Sequence, residues 1–305
     1  MPPHRESNVR VKTRVHQLLS KHRTILFPGV YDAIGAKAAA QAGFELLFIS
    51  GYSVSASLLG LPDFGYLTQT EMVQTARRIC KSVKQPVIVD ADTGYGNPLN
   101  VIRTVNELIS AGAAGMFLED QVWPKRCGHM RGKRVIPAEE HVKKIEAAVD
   151  ARDGRDFFIV ARTDARQVAG LSEAIKRCKA YKKAGADALF IEAPRSAEEL
   201  KTMVKQLEGP LVANMLEGGV TPLLTQEKLA EIGIQLIVCP LTALFGAAKA
   251  MMDLFSHLRK TGTTQGRLGQ LLLFDQFHKL VDLDGHYALD EKYSTQSGTN
   301  EFKEM

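Results

Sequence analysis

Residues 115–133 read GMFLEDQVWPKRCGHMRGK: a short apolar run, two acids, then a loop dense in polar and reactive groups. The apolar half, Gly115-Met-Phe-Leu118, has the length and character of a strand buried on both faces, as in a parallel sheet. Runs of the same kind recur along the chain: ILFPGV (25–30), LLFIS (46–50), VIVDAD (87–92), FFIVARTD (157–164), ALFIEA (188–193), PLVANM (210–215) and LIVCPL (236–241). With GMFLED (115–120) they make eight.

Helical patterns fill the intervals. Thr68-Gln-Thr-Glu71 forms a capping box ahead of Met72, Val73, Ala76, Ile79 and Val83, and Ser196-Ala-Glu-Glu199 repeats it ahead of Leu200, Met203, Val204 and Leu207. Pro137 stands at a first helical turn. Ala-Gly pairs at 42–43, 111–112 and 184–185 read as helix stops. Eight evenly spaced β/α units predict an α/β chain folded as a (β/α)8 TIM barrel, with an open doubly wound sheet as the alternative. Two apolar helical patterns follow the eighth strand: Phe245, Met251, Met252, Phe255 and Leu258, then Leu268, Leu271, Leu272, Phe274, Phe277 and Leu280. No internal domain boundary is legible. The expectation is one barrel domain over 1–305, with a helical extension from about 264 to 305 packing on the barrel or on a second subunit.

Composition narrows the function. With 305 residues, 45% hydrophobic and 24% charged, the chain has ample material for a core, and its net charge of +5 is spread along the sequence. No Lys/Arg block is interleaved with stacking aromatics, so nucleic acid is not an expected partner. No run approaches the ~20 apolar residues of a membrane span. The basic N-terminus, MPPHRESNVRVKTR, has no apolar core of a secretory signal and reads as a lead-in to the first helix. Cys80, Cys127, Cys178 and Cys239 are widely separated, which fits a reducing, cytoplasmic compartment.

In a parallel barrel catalytic groups collect at the carboxyl ends of the strands. Those ends supply Ser50, Asp90, Asp92, Glu119, Arg162, Asp164, Glu192 and Asn214, with Asp63 in the loop after the second strand. Asp90 and Asp92 project to one face because strand side chains alternate. So many carboxylates repel one another without a cation, and an all-oxygen ligand set favours Mg²⁺, or Mn²⁺, over zinc. Arg162 among them suits a bidentate grip on a substrate carboxylate. Asp120 and Asp164 read as orienters or caps. Cys127, flanked by Lys125, Arg126 and His129, is where a lowered thiol pKa is expected. No lysine sits on a strand end, which argues against imine-forming aldolase chemistry.

The stretches SGYSVSASLLGLPDFG (50–65), VDADTGYGN (89–97), LEDQVWPKRCGH (118–129), ARTDA (161–165), EAP (192–194) and ANMLEGGVTP (213–222) together resemble the isocitrate lyase/phosphoenolpyruvate mutase superfamily, over nearly the whole chain. KRCGH is similar to its carbon–carbon lyase branch; the phosphonate mutases lack that cysteine. The resemblance implies a last barrel helix exchanged between subunits, a homotetramer built as a dimer of dimers, and Mg²⁺ held by Asp90 and Asp92 with Asp63 and Glu119 nearby. It implies a small dicarboxylate or 2-oxo acid substrate contacted by Ser50, Gly51, Tyr52, Asp63, Gly128, Arg162, Glu192 and Asn214. A gate from about Val122 to Arg134 would bring in Cys127 as the proton donor, with Lys125, His129 and Glu119 assisting. Tyr52, or Glu192 through a water, stands as the base. Leu216 and Phe245 replace a threonine and an arginine of the 2-methylisocitrate lyase pattern. The expected reaction is therefore cleavage of an alkylmalate- or citramalate-type 2-hydroxy diacid. Oxaloacetate hydrolysis or decarboxylation are the alternatives; 2-methylisocitrate cleavage, phosphonate-forming chemistry and a silent scaffold role are less favoured.

Overall fold

All eight apolar runs form strands, because each is Val/Ile/Leu/Phe-rich and is sealed on both faces. In the computed structural model, which describes residues 12–294, they are β1 Ile25–Val30, β2 Leu47–Ile49, β3 Val87–Asp90, β4 Gly115–Glu119, β5 Phe158–Thr163, β6 Ala188–Ile191, β7 Leu211–Asn214 and β8 Leu236–Cys239. Neighbouring strands pair in parallel in chain order, and β1 pairs with β8 to close the ring. The chain is a (β/α)8 barrel.

Two apolar clusters follow from the period of two. Phe27, Phe48, Ile88, Phe117, Val160, Phe190, Val212 and Val238 fill the interior. Leu47, Ile49, Val89, Met116, Leu118, Ile159, Ala161, Leu189 and Ala213 face outward, into the layer shared with the helices. The helix Arg14–Lys21 is capped by Thr13, whose hydroxyl accepts from the His16 amide; it adds Val15 to the interior cluster and packs Leu18 and Leu19 against it. The same interior phase, carried two residues further, places Ser50, Asp90, Glu119, Arg162, Glu192 and Asn214 at the other mouth. In β1 that phase lands on Gly29.

The helix stops occur where Ala-Gly pairs predict them, with Gly43, Gly112 and Gly185 all at positive φ. Thr68 and Glu71 form the reciprocal capping box. The second box is only half made: Ser196 accepts from the Glu199 amide, but the Glu199 carboxylate turns to Arg166 and the Arg195 amide instead. A guanidinium outbids a neutral amide for that carboxylate. Pro137 is the cap residue rather than part of the first turn of Ala138–Arg152.

The chain forms two compact units, Met1–Ala247 and Ala248–Met305, with the division inside the helix Thr242–Thr261. The second apolar pattern of the C-terminal region is not one helix. It splits into a 3-10 segment Gln265–Gln270, an extended Leu271, and a helix Phe274–Val281, followed by Leu283–Tyr293; Gly266 and Gly269 weaken helix propagation there. Among the described residues no helix is long and apolar enough to cross a membrane.

The β1–β8 seam gives a stability test. A Cβ at Gly29 would lie 2.1 Å from the Pro240 carbonyl oxygen, a backbone atom that cannot swing away. Gly29→Ala is expected to lower the calorimetric unfolding midpoint by about 5 °C or more, the scale of an overpacked core site. An unchanged midpoint would mean that the seam carries slack.

Candidate active site

The strand ends and two loops converge on a cavity of about 40 Å³, lined on its polar side by Ser50, Tyr52, Asp63, Asp90, Cys127, Gly128, His129, Arg162, Glu192 and Asn214. Phe48, Phe117, Phe190, Leu216, Val238, Pro240 and Leu241 supply an apolar floor and wall. That volume accommodates roughly three waters, and Cys127, Gly128 and His129 of the 122–134 loop form part of its wall.

Ser50 caps the short helix Gly51–Val54 through the Ser53 amide, which fixes the turn out of β2. The Gly51 amide donates to Asp90 Oδ2 at 3.3 Å, and a Cβ on Gly51 would meet that oxygen at 3.0 Å and Asp92 Oδ1 at 3.3 Å. Glycine is what lets the backbone approach both acids. Asp90 Oδ1 accepts from the Asp92 amide at 3.1 Å. Asp92 is buried, its Oδ1 is 2.7 Å from the Lys125 ammonium, and its Oδ2 has no hydrogen-bond partner. Burial, with Asp90 and Asp63 adding, pushes the Asp92 carboxyl upward although Lys125 opposes it. Burial likewise raises Glu119, whose Oε1 is unpartnered.

These acids fit a divalent ion. They are hard oxygen donors, two of them end in orphaned buried oxygens, and their ionised forms are disfavoured without added positive charge. Among the described residues no group of three or more His, Cys, Asp or Glu is placed to hold a metal ion, so at most one or two of these carboxylates would ligate it directly. That suits Mg²⁺, which keeps several waters beside one or two carboxylates.

Arg162 is held by three carboxylates: Nε lies 3.0 Å from Asp164 Oδ2 and 3.2 Å from Glu119 Oε2, and Nη2 lies 3.1 Å from Glu192 Oε2. Burial would lower its pKa, but these anions outweigh it and keep it charged. Burial alone would raise Glu192; Arg162, His129 and Lys133 hold its carboxyl well below the usual range instead. Asn214 Nδ2 donates to Glu192 at 3.3 Å. Tyr52 is raised, by burial first and then by Cys127 and Asp63, so it stays a phenol.

The loop places its reactive groups differently from their order in the chain. Lys125 turns away from the thiol to Asp63 and Asp92, at 2.7 Å from each. Arg126 lies over the Phe64 ring at 5.2 Å and donates to the Arg131 carbonyl. His129 Nδ1 accepts from the Val220 amide at 3.0 Å, leaving Nε2 to face Glu192 Oε1 at 3.2 Å. The Cys127 amide donates to the Asp63 carbonyl. Burial, with Asp63 and Glu192 adding, pushes the Cys127 thiol up to about 11, although the His129 backbone and Lys125 oppose it. The lowered value expected from its sequence neighbours is overturned: it is a neutral thiol.

Asp120 orients rather than lines: it accepts from Thr163, the Asp164 amide, Arg177 and Tyr181. Phe245 is 40% exposed and does not line the cavity, whereas Leu216 does. Lys133 was not legible as a site residue. It is buried, with Nζ 2.7 Å from Asp164 Oδ1 and donating also to the Gly128 carbonyl. Cys178 is buried, and burial also raises Cys80 and Cys239 to about 11, leaving them inert.

A family model described as phosphoenolpyruvate phosphomutase matches residues 15–259. The chain is 54% identical to a carboxyvinyl-carboxyphosphonate phosphorylmutase, chloroplastic, of Arabidopsis thaliana, covering 93% of this chain and 85% of that one. It is 52% identical to the petal death protein of Dianthus caryophyllus (92% and 89% covered). It is 45% identical to a 2,3-dimethylmalate lyase of Eubacterium barkeri (92% and 98%). Among solved structures it resembles oxaloacetate acetylhydrolase in complex with the inhibitor 3,3-difluorooxalacetate, with TM-score 0.88 and 34% identity, covering 93% of this chain and 97% of that one. It also resembles 2,3-dimethylmalate lyase, described as a PEP mutase/isocitrate lyase superfamily member (0.87, 34%, 96% and 100%), and phosphonopyruvate hydrolase with oxalate and Mg²⁺ (0.82, 30%, 90% and 96%).

A thiol at about 11 reacts through its thiolate alone, so its alkylation rate follows the thiolate fraction. Iodoacetamide modification of Cys127, followed by peptide mass spectrometry, is expected to quicken about tenfold per pH unit from 7 to 9. A plateau reached by pH 7.5 would contradict the neutral thiol.

Proposed function

We propose that this chain, which belongs to the phosphoenolpyruvate phosphomutase family, cleaves a carbon–carbon bond of a 2-hydroxy diacid of the alkylmalate type. It is an enzyme of the isocitrate lyase/PEP mutase superfamily. The observation that carries the substrate and mechanism is the half-buried Cys127 thiol, raised to about 11, in the wall of a cavity that also holds Arg162. A thiol held neutral can give a proton to a carbanion and is unsuited to act as a nucleophile.

Arg162 binds and orients the carboxylate of the half that becomes the 2-oxo acid, with Asn214 and the Gly51 amide beside it. The 2-hydroxyl proton passes to one of the two candidate bases, Tyr52 or, through a water, Glu192. The C2–C3 electron pair then passes to C3 of the departing fragment. Cys127 Sγ–H gives its proton to that carbon, and the thiolate recovers one when the loop opens. Lys125 keeps Asp63 and Asp92 in place, and His129 ties the loop to β6 and β7. Mg²⁺ held by Asp90 and Asp92 would supply positive charge for the 2-oxygen and the adjoining carboxylate. Products are a 2-oxo acid and a monocarboxylic acid.

The wall selects the substrate. Arg162 is the permanently charged cation among the described residues lining the cavity, and Leu216, Pro240 and Leu241 face the remainder. The third carboxylate of a tricarboxylate, placed against them, would be buried without a donor, which is strongly unfavourable. Alkyl groups fit there and a tricarboxylate does not. Oxaloacetate hydrolysis is the second reading, supported by the small cavity and by the likeness to oxaloacetate acetylhydrolase.

Assembly as a homotetramer with an exchanged helix is part of the proposal. Its support is the unburied apolar side of the C-terminal unit, where Met252, Phe255, Leu272 and Phe274 are exposed. The four unpaired thiols support a reducing compartment such as the cytoplasm.

The test incubates the protein and Mg²⁺ with 2,3-dimethylmalate, citramalate, oxaloacetate, 2-methylisocitrate and phosphonopyruvate, following products by NMR. Turnover of an alkylmalate is expected, lost in EDTA and restored by Mg²⁺ or Mn²⁺. Cys127→Ala is expected to lower kcat by about 10²–10⁴-fold. Preferred turnover of 2-methylisocitrate, or full activity of Cys127→Ala, would contradict the reading.

A further inference from the structure

Lys133 stands apart from the residues that touch the cavity. It lies at the returning stem of the 122–134 loop, where Val122 donates to the Arg134 carbonyl and Gln121 bridges to Val135. Its side chain is 1% exposed, so its ammonium must be matched by partners inside the protein. It finds two. One is Asp164 Oδ1 at 2.7 Å; the other is the carbonyl of Gly128, at the loop's tip. The first partner belongs to the barrel and the second to the loop itself.

Asp164 does more than receive that lysine. Its Oδ2 accepts from Arg162 Nε at 3.0 Å and its Oδ1 from Arg162 Nη2 at 3.2 Å. The aspartate is fixed in turn by its own amide, which donates to Asp120 Oδ1 at 3.0 Å. Lys133 and Arg162 thus share one immobilised carboxylate. Gly128 lies against the same arginine: a Cβ there would stand 2.4 Å from Arg162 Nη2 and from Glu192 Cγ. Tip, lysine, aspartate and arginine form one buried chain of contacts.

We propose that Lys133 is a positioning residue: by bridging the Gly128 carbonyl to Asp164 it latches the loop that carries Cys127 over the cavity, and so ties closure to the orientation of Arg162. The proposal deepens the reading of this site as a covered cavity with an internal proton donor. With the loop raised, Lys133 would lose the Gly128 carbonyl and keep Asp164, its partner on the barrel. Closure therefore presses the tip onto an arginine already held by the carboxylate that receives the latch. Lys133 does not itself line the cavity, so the latch can be removed without deleting a side chain that does.

The test is read without turnover. The chain has a single tryptophan, Trp123, inside the loop, and Cys127 reports access to the cavity. In Lys133→Met, acrylamide quenching of Trp123 should increase. Iodoacetamide alkylation of Cys127 at fixed pH, located by peptide mass spectrometry, should quicken by about tenfold to a hundredfold, the scale of a lost charge-assisted hydrogen bond. Adding Mg²⁺ and oxalate should protect Cys127 in the unaltered protein and less so in the variant. Lys133→Gln, which keeps a donor for the Gly128 carbonyl, should lie between the two and serves if Lys133→Met does not fold. Unchanged alkylation and quenching in a folded variant would overturn the latch. So would failure of both variants to fold, which would assign the lysine to the stability of the barrel. If no alkylmalate is cleaved but Cys127 is unmasked by the substitution, the latch stands and the proposed reaction falls; turnover with no unmasking gives the converse.

Discussion

An imbalance of buried charge governs the mouth of the barrel. Six carboxylates, those of Asp63, Asp90, Asp92, Glu119, Asp164 and Glu192, are buried there with three permanent cations, Lys125, Lys133 and Arg162. Like charges in a poorly hydrated site raise one another's pKa unless opposite charge intervenes. The cations are shared out unevenly. Arg162 and Lys133 serve Asp164 and Glu192, which are held ionised; Lys125 spans Asp63 and Asp92. Burial wins at Asp92 and Glu119, which are pushed upward and keep unpartnered oxygens. The deficit therefore sits on the side of Asp90 and Asp92, where a hard dication would answer it.

The barrel builds this arrangement from one repeat. Along each strand the inward side chains are apolar at mid-barrel and polar at the carboxyl end: Phe48 then Ser50, Ile88 then Asp90, Phe117 then Glu119, Val160 then Arg162, Phe190 then Glu192, Val212 then Asn214. The core and the site share one phase of the pleat. A one-residue slip in any strand would bury its polar group among the helices. That is why rigid strands, rather than loops, carry the acids and the arginine.

Much of this was legible in sequence because it depends on local periodicity. The eight strands follow from their apolar runs, and the inward Asp90, Glu119 and Arg162 from the pleat; Asp92 does not, because β3 ends at Asp90 and Asp92 sits in a turn at φ 48°, not on the strand whose alternation was expected to place it. What was not legible depends on where a loop's side chains turn. Lys125 and Arg126 flank Cys127 in the chain, yet one pairs with Asp63 and Asp92 and the other lies over Phe64, and desolvation lifts the thiol against what Lys125 still contributes. Lys133 sits in an Arg-Gly-Lys-Arg run that looks solvated, and its burial requires Asp164, thirty-one positions away. Phe245 is adjacent to the site only by analogy; its helix carries it outside the lining. Sequence distance predicts contact within a strand and fails across a loop.

The most direct test of the charge account is a titration with Mn²⁺ followed by electron paramagnetic resonance, with and without oxalate. One ion per chain should bind, more tightly with oxalate present. Asp92→Asn and Asp90→Asn should each weaken it by about tenfold or more, while Asp120→Asn, if folded, should leave the stoichiometry unchanged. An ion bound equally well by the unaltered protein and by both site variants, or no saturable binding even with oxalate, would contradict the claim that the mouth of this barrel is built around a missing double positive charge.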